Sequence, residues 1–310
     1  MPGADRVGPL VAPAARQSWA FASGARIAPT LTAARSLGGG ALFEVYLAWD
    51  ERRLCHVACK LARPDKIADA SALRQLRRES NLLARLAHPV IVRSLGAMLE
   101  GARPHLLLEY HDKFTLRRRI RKRGPMPVEQ WLPLALHLGS ALHYLSSEGV
   151  VHLDVKPGNV LVGSPPRLID LSVARSLEWA KQLRQPVGSA AYMAPEQCVP
   201  GERGEIGAAA DVWGLGVTLY EAITGQLPFP KEGEKDPPGP GARYPQLAGI
   251  ATPLPAQFPP ELANLVMQCL NPEPSARPAA GDLVAALRRI ASSPLIGQMI
   301  KPPPAPPVTA

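Results

Sequence analysis

The stretch that most constrains this chain is a short polar connection between apolar runs, residues 152–170, with the sequence HLDVKPGNVLVGSPPRLID. It carries two carboxylates, Asp154 and Asp170, together with the ammonium of Lys156 and the amide of Asn159. Pro and Gly predict a loop, and two apolar runs around a Gly-Ser-Pro-Pro turn predict a hairpin of two short strands. The sequence therefore concentrates its chemically active side chains on one loop and one hairpin.

These polar groups have the character of a cation and phosphate site. A hairpin that returns Asp170 beside Asn159 pairs a carboxylate with an amide oxygen, a combination that suits Mg²⁺. Asp154 can then orient an incoming hydroxyl, and Lys156 can neutralise a phosphoryl group. Taken alone, a polar loop of this kind is more often an ordinary surface turn, so the rest of the chain must decide.

Length and composition predict a globular chain with one large or two medium domains. The chain has 310 residues, of which 46% are hydrophobic, enough to bury a sizeable core. Residues 131–147 carry no charge, but the stretch is too short and too polar for a membrane span and predicts a buried helix. The N-terminus lacks the apolar centre of a secretory signal. Four scattered cysteines without a C-x-x-C pair fit a reducing cytosol, so a cytoplasmic location is expected.

The charge of the chain permits anionic partners. The formal net charge is +9, although an Arg-, Ala-, Gly- and Pro-rich composition also follows from a GC-rich genome. Six of the seven residues in 117–123, RRRIRKR, are basic. Most such runs are solvated helix faces, and the sharper interpretation is a docking surface for acidic protein. Nucleic acid is not favoured, because the run lacks interleaved aromatic residues apart from Phe114.

The first half of the chain predicts strands, a glycine cluster and a lysine that points inward. Residues 37–50 form a pair of strand-like runs broken by glycines, whose tip is either an ordinary turn or a place where backbone N–H groups approach phosphate. In the next strand the period of two puts Ala58 and Lys60 on one face. The following helix, residues 69–88, carries Glu79 on its apolar stripe, where a charge is costly unless paired. Lys60 is its most economical partner, and the alternatives are pairing with Arg93 or a position at the edge of the stripe.

The second half of the chain is predicted to be mostly helical, after a lobe boundary at residues 109–112. The expected helices cover residues 128–147, 211–224, 261–270 and 281–290. Residues 171–196 have little periodicity, and a connection of that length is usually functional. Residues 230–248 are rich in Pro and Gly and are expected to form a surface insert.

Taken as a set, these motifs resemble the protein kinases, most closely the eukaryotic-type (Hanks-type) serine/threonine kinases that bacteria also carry. The resemblance runs from about residue 27 to residue 290. It rests on six motifs in the family's order: Gly38 with Gly40, the VACK of residues 57–60, Glu79, the HLDVKPGN of residues 152–159, Asp170-Leu171-Ser172, and the APE of residues 194–196. Arg277 lies where the family has an arginine that anchors the last glutamate.

The resemblance implies an α+β, two-lobed protein-kinase-like fold. A small antiparallel-sheet N-lobe with one main helix is expected over residues 27–110, and a larger helical C-lobe over residues 111–292. A flexible N-terminal arm, residues 1–26, and a Pro-rich C-terminal tail, residues 293–310, are expected to flank this kinase domain. The implied activity is transfer of the γ-phosphate of Mg-ATP, with Mn²⁺ as an alternative metal, to Ser or Thr of proteins, among them acidic ones.

The resemblance also implies the catalytic and metal-binding residues. Asp154 is expected to accept the proton of the substrate hydroxyl late in phosphoryl transfer, and Lys156 to stabilise the γ-phosphoryl group. Asn159 and Asp170 are the expected ligands of Mg²⁺.

ATP is expected to lie between the lobes. Lys60, held by Glu79, would fix its α and β phosphates, and Leu108 would guard the back of the adenine pocket. The expected nucleotide-binding residues are Leu37, Gly38, Gly40, Val45, Ala58, Lys60, Glu79, Leu108, Glu109, His111 and Leu161.

Three residues depart from the family pattern. Phe43 stands at the third glycine of the nucleotide loop, where φ > 0 would cost about 1–2 kcal/mol, so the loop is expected to take another path. Leu153 replaces an arginine that in many kinases meets a phosphate on the activation segment, and that segment contains no Thr. Activity is therefore expected not to require its phosphorylation. Ser172 replaces the glycine of the metal-binding triplet.

Three functions remain to be compared. An active kinase is favoured because every residue with a direct chemical role is present. A nucleotide-binding pseudokinase that acts as a signalling scaffold gains support from Phe43, Leu153 and Ser172. A small-molecule phosphotransferase of kinase architecture is disfavoured, because those enzymes generally lack an activation segment that closes in APE.

Overall fold

The computed structural model describes residues 17–229 and 243–293. Residues 1–16 of the expected arm, residues 230–242 of the expected insert and residues 294–310 of the expected tail lie outside the described residues. The chain divides into two compact units. The first contains the chain up to Arg77 together with Ser94–Tyr110, and the second contains Arg78–Arg93 together with the chain from His111 onward. The α+β, two-lobed fold class is confirmed.

The first unit is built on a six-stranded antiparallel sheet. Its strands are β1 (Arg26–Ala28), β2 (Leu31–Gly39), β3 (Phe43–Asp50), β4 (Cys55–Ala62), β5 (Ser94–Met98) and β6 (His105–Glu109). Their order in the sheet is β1-β2-β3-β4-β6-β5. The strands from β1 to β4 follow one another in space because short turns join them, and antiparallel neighbours need no longer connection.

One face of this sheet is covered by a hydrophobic cluster. Alternate residues of β3 and β4, among them Tyr46, Val57 and Leu61, are buried in one hydrophobic cluster. Partly buried Trp19 and Phe21, which precede β1, pack against the same cluster. Residues 17–26, expected to belong to a flexible arm, therefore contact the sheet, because two aromatic side chains there remove apolar surface from water.

One helix, α1 (Ala70–Arg85), follows the first four strands and passes from the first unit into the second. It begins after Asp69, whose side chain accepts hydrogen bonds from the backbone N–H groups of Ser71 at 2.8 Å and Ala72 at 3.1 Å. Such a cap satisfies donors that the first turn cannot. Leu76 and Glu79 are both fully buried on its apolar stripe, as the helical spacing predicted.

The second unit is mainly helical and contains two short strand pairs. Its helices are α2 (Leu116–Arg123), α3 (Val128–Ser147), α4 (Leu177–Lys181), α5 (Pro195–Cys198), α6 (Ala208–Thr224), α7 (Pro260–Cys269) and α8 (Ala280–Ala291). The strand pairs are β7 (Val150–Val151) with β10 (Arg175–Ser176), and β8 (Val160–Leu161) with β9 (Arg167–Leu168). The four long helices predicted from periodicity are confirmed, with ends that differ by at most a few residues.

Helices α3 and α6 form the centre of the second unit. Trp131 of α3 is fully buried and its indole N–H donates to the carbonyl of Leu219 in α6 at 3.0 Å. Gly139 allows α8 to approach α3, because a Cβ at that position would lie 2.8 Å from Val284. The apolar stretch of residues 131–147 is thus a buried helix, as predicted. Among the described residues no helix is both long and apolar enough to cross a membrane.

Two residues near the end of the expected surface insert are buried, although Ala248 at its end is exposed. Residues 230–242 are outside the description, but Tyr244 and Gln246 are buried. The Gln246 side chain donates to the carbonyls of Ala190 at 2.7 Å and Met193 at 2.9 Å. Composition predicted an exposed loop here, and that expectation is wrong for these two residues because an amide side chain satisfies the buried carbonyls of another segment.

Candidate active site

The predicted hairpin is present and brings the two candidate metal ligands together along the backbone. Val160 of β8 pairs with Leu168 of β9. The N–H of Ile169 donates to the carbonyl of Asn159 at 2.8 Å. Asp170, which follows Ile169, is therefore adjacent to Asn159 in the pairing, and it adopts a left-handed φ of 66°.

Asp154 lies at the centre of a polar network. Its Oδ2 accepts hydrogen bonds from the Lys156 ammonium at 2.6 Å and from the Asn159 amide at 3.1 Å. Its Oδ1 is buried and has no hydrogen-bond partner among the described residues. A buried carboxylate oxygen without a partner is costly unless a ligand supplies one. The carboxylate is thus fixed by one oxygen and available through the other.

Lys156 connects this carboxylate to the activation segment, residues 170–196. Besides Asp154 it donates to the Ser189 hydroxyl at 2.7 Å. The cation is therefore held between the loop that precedes the hairpin and the segment that follows it. An ammonium placed in this way can stabilise negative charge that develops beside Asp154.

The residues fit a divalent cation. The Asn159 side chain donates two hydrogen bonds through Nδ2, one to the Asp154 carbonyl at 2.9 Å and one to its carboxylate. The amide oxygen is then the atom left to ligate, and Asp170 adds a carboxylate. Two hard oxygen ligands suit Mg²⁺, which keeps several waters and shares substrate phosphates. No cluster of three or more His, Cys, Asp or Glu side chains suited to a metal occurs in the described part of the chain.

A strained backbone at Leu153 positions Asp154. Leu153 has φ of 66°, unusual for a residue with a branched side chain. Asp211 of α6 holds this turn, because its carboxylate accepts the N–H groups of His152 at 2.6 Å and Leu153 at 2.7 Å. Burial raises the pKa of Asp211 to about 6, although the charge of His152 and these two hydrogen bonds act in the opposite direction.

The activation segment is held on the other side of the same turn. The Gln197 side chain donates to the carbonyl of Leu153 at 3.0 Å and to that of Val187 at 2.9 Å. Gly188 permits this approach, since it has φ of 127° and a Cβ there would lie 2.6 Å from the Leu153 carbonyl oxygen. Two hydrogen bonds from the neutral Gln197 side chain, together with Gly188, thus attach the activation segment to the turn at Leu153.

Every hydroxyl of the activation segment is buried or engaged. Ser176 accepts from the N–H of Trp179 at 3.3 Å and caps α4. Ser189 is bound to Lys156. Tyr192 donates to Glu221 at 2.6 Å, and Ser172 is only 8% exposed. The segment closes at Glu196, which the Arg277 guanidinium binds through both carboxylate oxygens at 2.7 and 2.8 Å, as the resemblance implied.

The first unit carries most of the expected nucleotide-binding residues. Leu37, Gly38 and Gly40 are exposed around the β2–β3 turn. The strand register sets Val45 opposite Lys60, and Ala58 shares that face because it lies two residues away. Leu108 and Glu109 end β6.

Phe43 departs from the glycine loop without the strain that a left-handed φ would bring. Among the described residues, the non-glycine positions with left-handed φ do not include Phe43, which begins β3. The loop takes another path, as expected: the N–H of Gly40 donates to the Phe43 carbonyl at 2.9 Å. The Phe43 ring instead lies over the Lys60 ammonium, 5.1 Å from Nζ to the ring centre.

The remaining expected nucleotide-binding residues belong to the second unit. Glu79 is buried in α1, Leu161 is half-buried in β8, and His111 is half-buried where the second unit resumes. The structure thus brings together Asp154, Lys156, Asn159 and Asp170 within one unit, and Val45, Ala58 and Lys60 within the other.

Several residues that hold the site in place were not predicted from the sequence. Asp211 carried the clearest signal, since a lone acid in a strongly apolar helix must be paired. Ser189 was noted only as a retained hydroxyl, and its bond to Lys156 could not be inferred from spacing. Gln197 and Gln246 gave no signal, because an uncharged amide side chain is compatible with almost any environment.

The chain is similar in sequence to known protein kinases. Residues 31–287 match the protein kinase domain family. The chain is 32% identical to the serine/threonine-protein kinase PknB of Mycobacterium tuberculosis over 275 residues, which is 82% of this chain and 42% of that protein. It is 31% identical over 273 residues to the serine/threonine-protein kinase PkaA of Streptomyces coelicolor, 81% of this chain and 48% of that protein.

The match is broad on this chain and partial on its relatives. A third relative, PknB of Mycobacterium leprae, is 35% identical over 203 residues, 62% of this chain and 32% of that protein. The chain therefore spans about a third to a half of the length of the curated relatives it matches. The chain belongs to the protein kinase family.

Proposed function

We propose that this chain transfers the γ-phosphate of Mg-ATP to Ser or Thr hydroxyls of proteins. Family membership supports the reaction class, and the relatives are serine/threonine kinases by name. The observation that carries the proposal is the Asp154 network, in which one carboxylate oxygen is fixed by Lys156 and Asn159 and the other is buried without a partner. In that arrangement Oδ1 of Asp154 can accept a hydrogen bond from the hydroxyl of a substrate.

The chemistry assigned to the chain's own residues is positioning and charge stabilisation. Asp154 orients the substrate hydroxyl through Oδ1 and receives its proton late in transfer. Lys156, held between Asp154 and Ser189, stabilises the charge of the transferred group. Asn159 and Asp170 would hold Mg²⁺, which would supply neutralisation of phosphate charge. Mn²⁺ prefers the same oxygen ligands and is the alternative metal.

Lys60 is the residue of the first unit that we assign to phosphate binding. Lys60 lies at only 5% exposure on the face that also carries Val45 and Ala58. We assign it to the α and β phosphates, with Glu79 as its partner. A buried ammonium needs a compensating anion, and both a carboxylate and a phosphate supply one.

The competing function is that of a nucleotide-binding pseudokinase acting as a scaffold. One observation favours it: the Phe43 ring stands over Lys60 where the family has a glycine. A cation–π contact contributes only about 0.5–2 kcal/mol, less than a charge-assisted bond to phosphate, so the ring does not prevent Lys60 from binding an anion. The complete Asp154 network favours the active enzyme.

We further propose that activity does not depend on phosphorylation of the activation segment. Leu153 stands in place of the arginine that would read such a phosphate, and its carbonyl is bound by Gln197 instead. Ser189 and Tyr192 are already bound to charged side chains. Adding a phosphate there would break these bonds, whereas phosphate-dependent ordering requires an unoccupied basic partner.

We also propose that the protein substrate is acidic and binds to helix α2. Helix α2 carries no acidic residue in its first turn and Arg121, Lys122 and Arg123 in its last. Arg117 at its start faces the catalytic loop, since a Cβ on Gly158 would lie 3.7 Å from its Nε. Arg119 is an exception, because it is buried and donates to the carbonyls of Gly124 and Pro125.

A reducing compartment, such as the cytoplasm, fits the cysteines. All four are free thiols, and only Cys55 is exposed. Burial raises the pKa of Cys198 and of Cys269 to about 12. Thiols of this kind are unreactive and serve as small core residues.

The experiment that tests the proposed function is incubation of the purified chain with Mg-ATP and a panel of proteins, followed by mass spectrometry. We expect phosphate on Ser or Thr of a substrate or of the chain itself. ATP that binds, with no phosphate transferred to any protein, would support the pseudokinase instead.

A further inference from the structure

One arginine of the first unit contacts the glycine loop and the segment before β1 at the same time. Arg63 follows β4 directly. Its Nε donates to the carbonyl of Gly40 at 2.8 Å, and its Nη1 donates to the carbonyl of Gln17 at 2.9 Å and to Glu44 Oε1 at 2.6 Å. Its own N–H donates to the carbonyl of Leu42 at 2.9 Å. Arg63 thus fixes two carbonyls of the loop between β2 and β3.

The carboxylate of Glu44 is the second centre of this cluster. Its side chain is buried, and besides Arg63 it accepts the N–H of Trp19 at 3.2 Å and the hydroxyl of Tyr46 at 3.1 Å. A buried carboxylate with three donors is well satisfied, and its bond to arginine is charge-assisted. Glu44 directly follows Phe43, so the same cluster fixes the start of β3.

The segment before β1 is held independently by its aromatic residues. The rings of Trp19 and Phe21 stack with centres 5.6 Å apart, and the Arg103 guanidinium lies 5.2 and 5.1 Å from them. The Trp19 indole N–H donates to the carbonyl of Ala62 at 2.8 Å. Trp19 and Phe21 precede the range that matches the kinase family, residues 31–287, yet they pack against the hydrophobic cluster of the first unit.

Strand pairing holds the loop up to Gly39, since Gly38 lies opposite Val45 and Gly39 opposite Glu44, whereas residues 40–42 lie between the strands. Leu37, Gly38, Gly39 and Gly40 are exposed. Without a third glycine, the turn closes through Gly40 and Phe43, and Gly39 is required because a Cβ there would lie 2.5 Å from the Phe43 carbonyl oxygen. An exposed glycine loop loses much conformational freedom when it orders on phosphate.

We infer that Arg63 is a positioning residue for nucleotide binding, and that residues 17–21 help to hold Arg63 in position. Arg63 holds the Gly40 carbonyl in place before nucleotide arrives, so the loop loses less entropy on binding. Residues 17–21 fix the guanidinium from the opposite side through Gln17 and, by way of Glu44, through Trp19. This inference rests on the proposed function, because the glycine loop is taken to bind the phosphates of ATP.

The test is Arg63→Lys in the full chain. Lysine keeps the charge and can pair with Glu44, but it lacks the planar fork that reaches Gly40 and Gln17 together. We expect the KM and the Kd for Mg-ATP to rise roughly tenfold, the factor that one lost charge-assisted hydrogen bond gives. The kcat should stay within about twofold, because Arg63 does not touch the reacting atoms.

The matched control is Arg53→Lys. Arg53 pairs with buried Asp50 at 2.6 Å at the far end of β3 and also donates to the Leu95 carbonyl. It makes the same kind of contacts and does not reach the loop. A general loss of stability would affect both variants alike, whereas the inference predicts an altered KM for ATP only in Arg63→Lys. Equal nucleotide constants in Arg63→Lys and the unmodified chain would overturn it.

A second measurement requires no nucleotide. Backbone amide exchange of residues 38–43 should be faster in Arg63→Lys and in Trp19→Ala than in the unmodified chain, and unchanged in Arg53→Lys. If the unmodified chain binds no ATP while exchange responds in this way, the proposed function fails and the loop contact stands. If it binds ATP and exchange of residues 38–43 is unaffected by Arg63→Lys, the inference fails alone.

Discussion

Arg277 and Glu196 form a buried, two-pronged ion pair in which both side chains are fully excluded from solvent. The guanidinium also donates to the carbonyls of Asn271, Ala209 and Pro272 at 2.8–3.0 Å. The ring of Trp213 lies 4.9 Å from its central carbon. This pair ties the end of the activation segment to α6 and to the loop after α7. The C-terminal end of the segment is therefore fixed independently of the conformation of its earlier residues.

Replacing Arg277 by Met should therefore destabilise the chain strongly. The substitution leaves the Glu196 carboxylate buried and unpaired, and breaking one side of a buried pair costs about 3–5 kcal/mol. The free energy of unfolding, measured in urea, checks this. The matched control is Lys181→Met, which removes an exposed pair with Glu205 at 3.3 Å and should cost about 1 kcal/mol or less. Equal losses in the two variants would refute the structural role of Arg277.

The Asp211 carboxyl should make stability depend on pH. Burial raises its pKa to about 6 in the folded chain from 3.8, so the folded state keeps a proton that the unfolded state has lost. Its contribution to stability is complete below about pH 4 and disappears as the pH rises through about 6. Asp211→Asn removes this contribution, and its cost should be about 1 kcal/mol larger at pH 5 than at pH 7.5. Urea titrations at both pH values measure the difference, and a cost that grows with pH would contradict the assignment.

Phosphatase treatment should leave the rate nearly unchanged. The activation segment is fixed by Gln197, by the bond of Lys156 to Ser189 and by Arg277, none of which needs a phosphate. We expect the kcat to stay within about twofold after dephosphorylation is verified by mass spectrometry. A large decrease that is reversed on rephosphorylation would show that a phosphate orders the segment.

The basic helix α2 should select acidic substrates. Replacing Arg117 and Arg118 by Gln should raise the KM for an acidic peptide roughly three- to tenfold and leave that for a neutral peptide unchanged, because exposed charges contribute up to about 1 kcal/mol each. The preference should weaken as salt is added. The control is Arg288→Gln with Arg289→Gln, two exposed basic residues in the last turn of α8. An equal response to both peptides would exclude α2 as the docking surface.

The elements that were predictable are those whose pattern is local. Helix α3 was predicted with its observed ends, Val128–Ser147, since its apolar run is contiguous in the sequence. The strand pair β8–β9 followed from one turn between two apolar runs. Both depend on residues that are neighbours in sequence, where periodicity and turn chemistry act directly.

The contacts that were not predictable join distant parts of the chain. Asp211 binds the N–H groups of His152 and Leu153 across nearly sixty residues, and nothing in its spacing selects those partners. Arg63 appeared as an ordinary basic residue after a strand, although it binds Gln17 and Gly40. Long-range polar pairs of this kind depend on the tertiary arrangement, which single-sequence patterns do not encode.

Transfer of labelled γ-phosphate tests the central claim most directly. The unmodified chain and Asp154→Asn are compared with Mg-ATP and a Ser-containing protein, and nucleotide binding is measured calorimetrically for both. Asn keeps the size of Asp154, but its amide is too weak a base to receive the proton. We predict transfer by the unmodified chain, a loss of at least about a hundredfold in Asp154→Asn, and similar ATP affinity. Undiminished transfer by Asp154→Asn, or nucleotide binding without any transfer by the unmodified chain, would contradict the account.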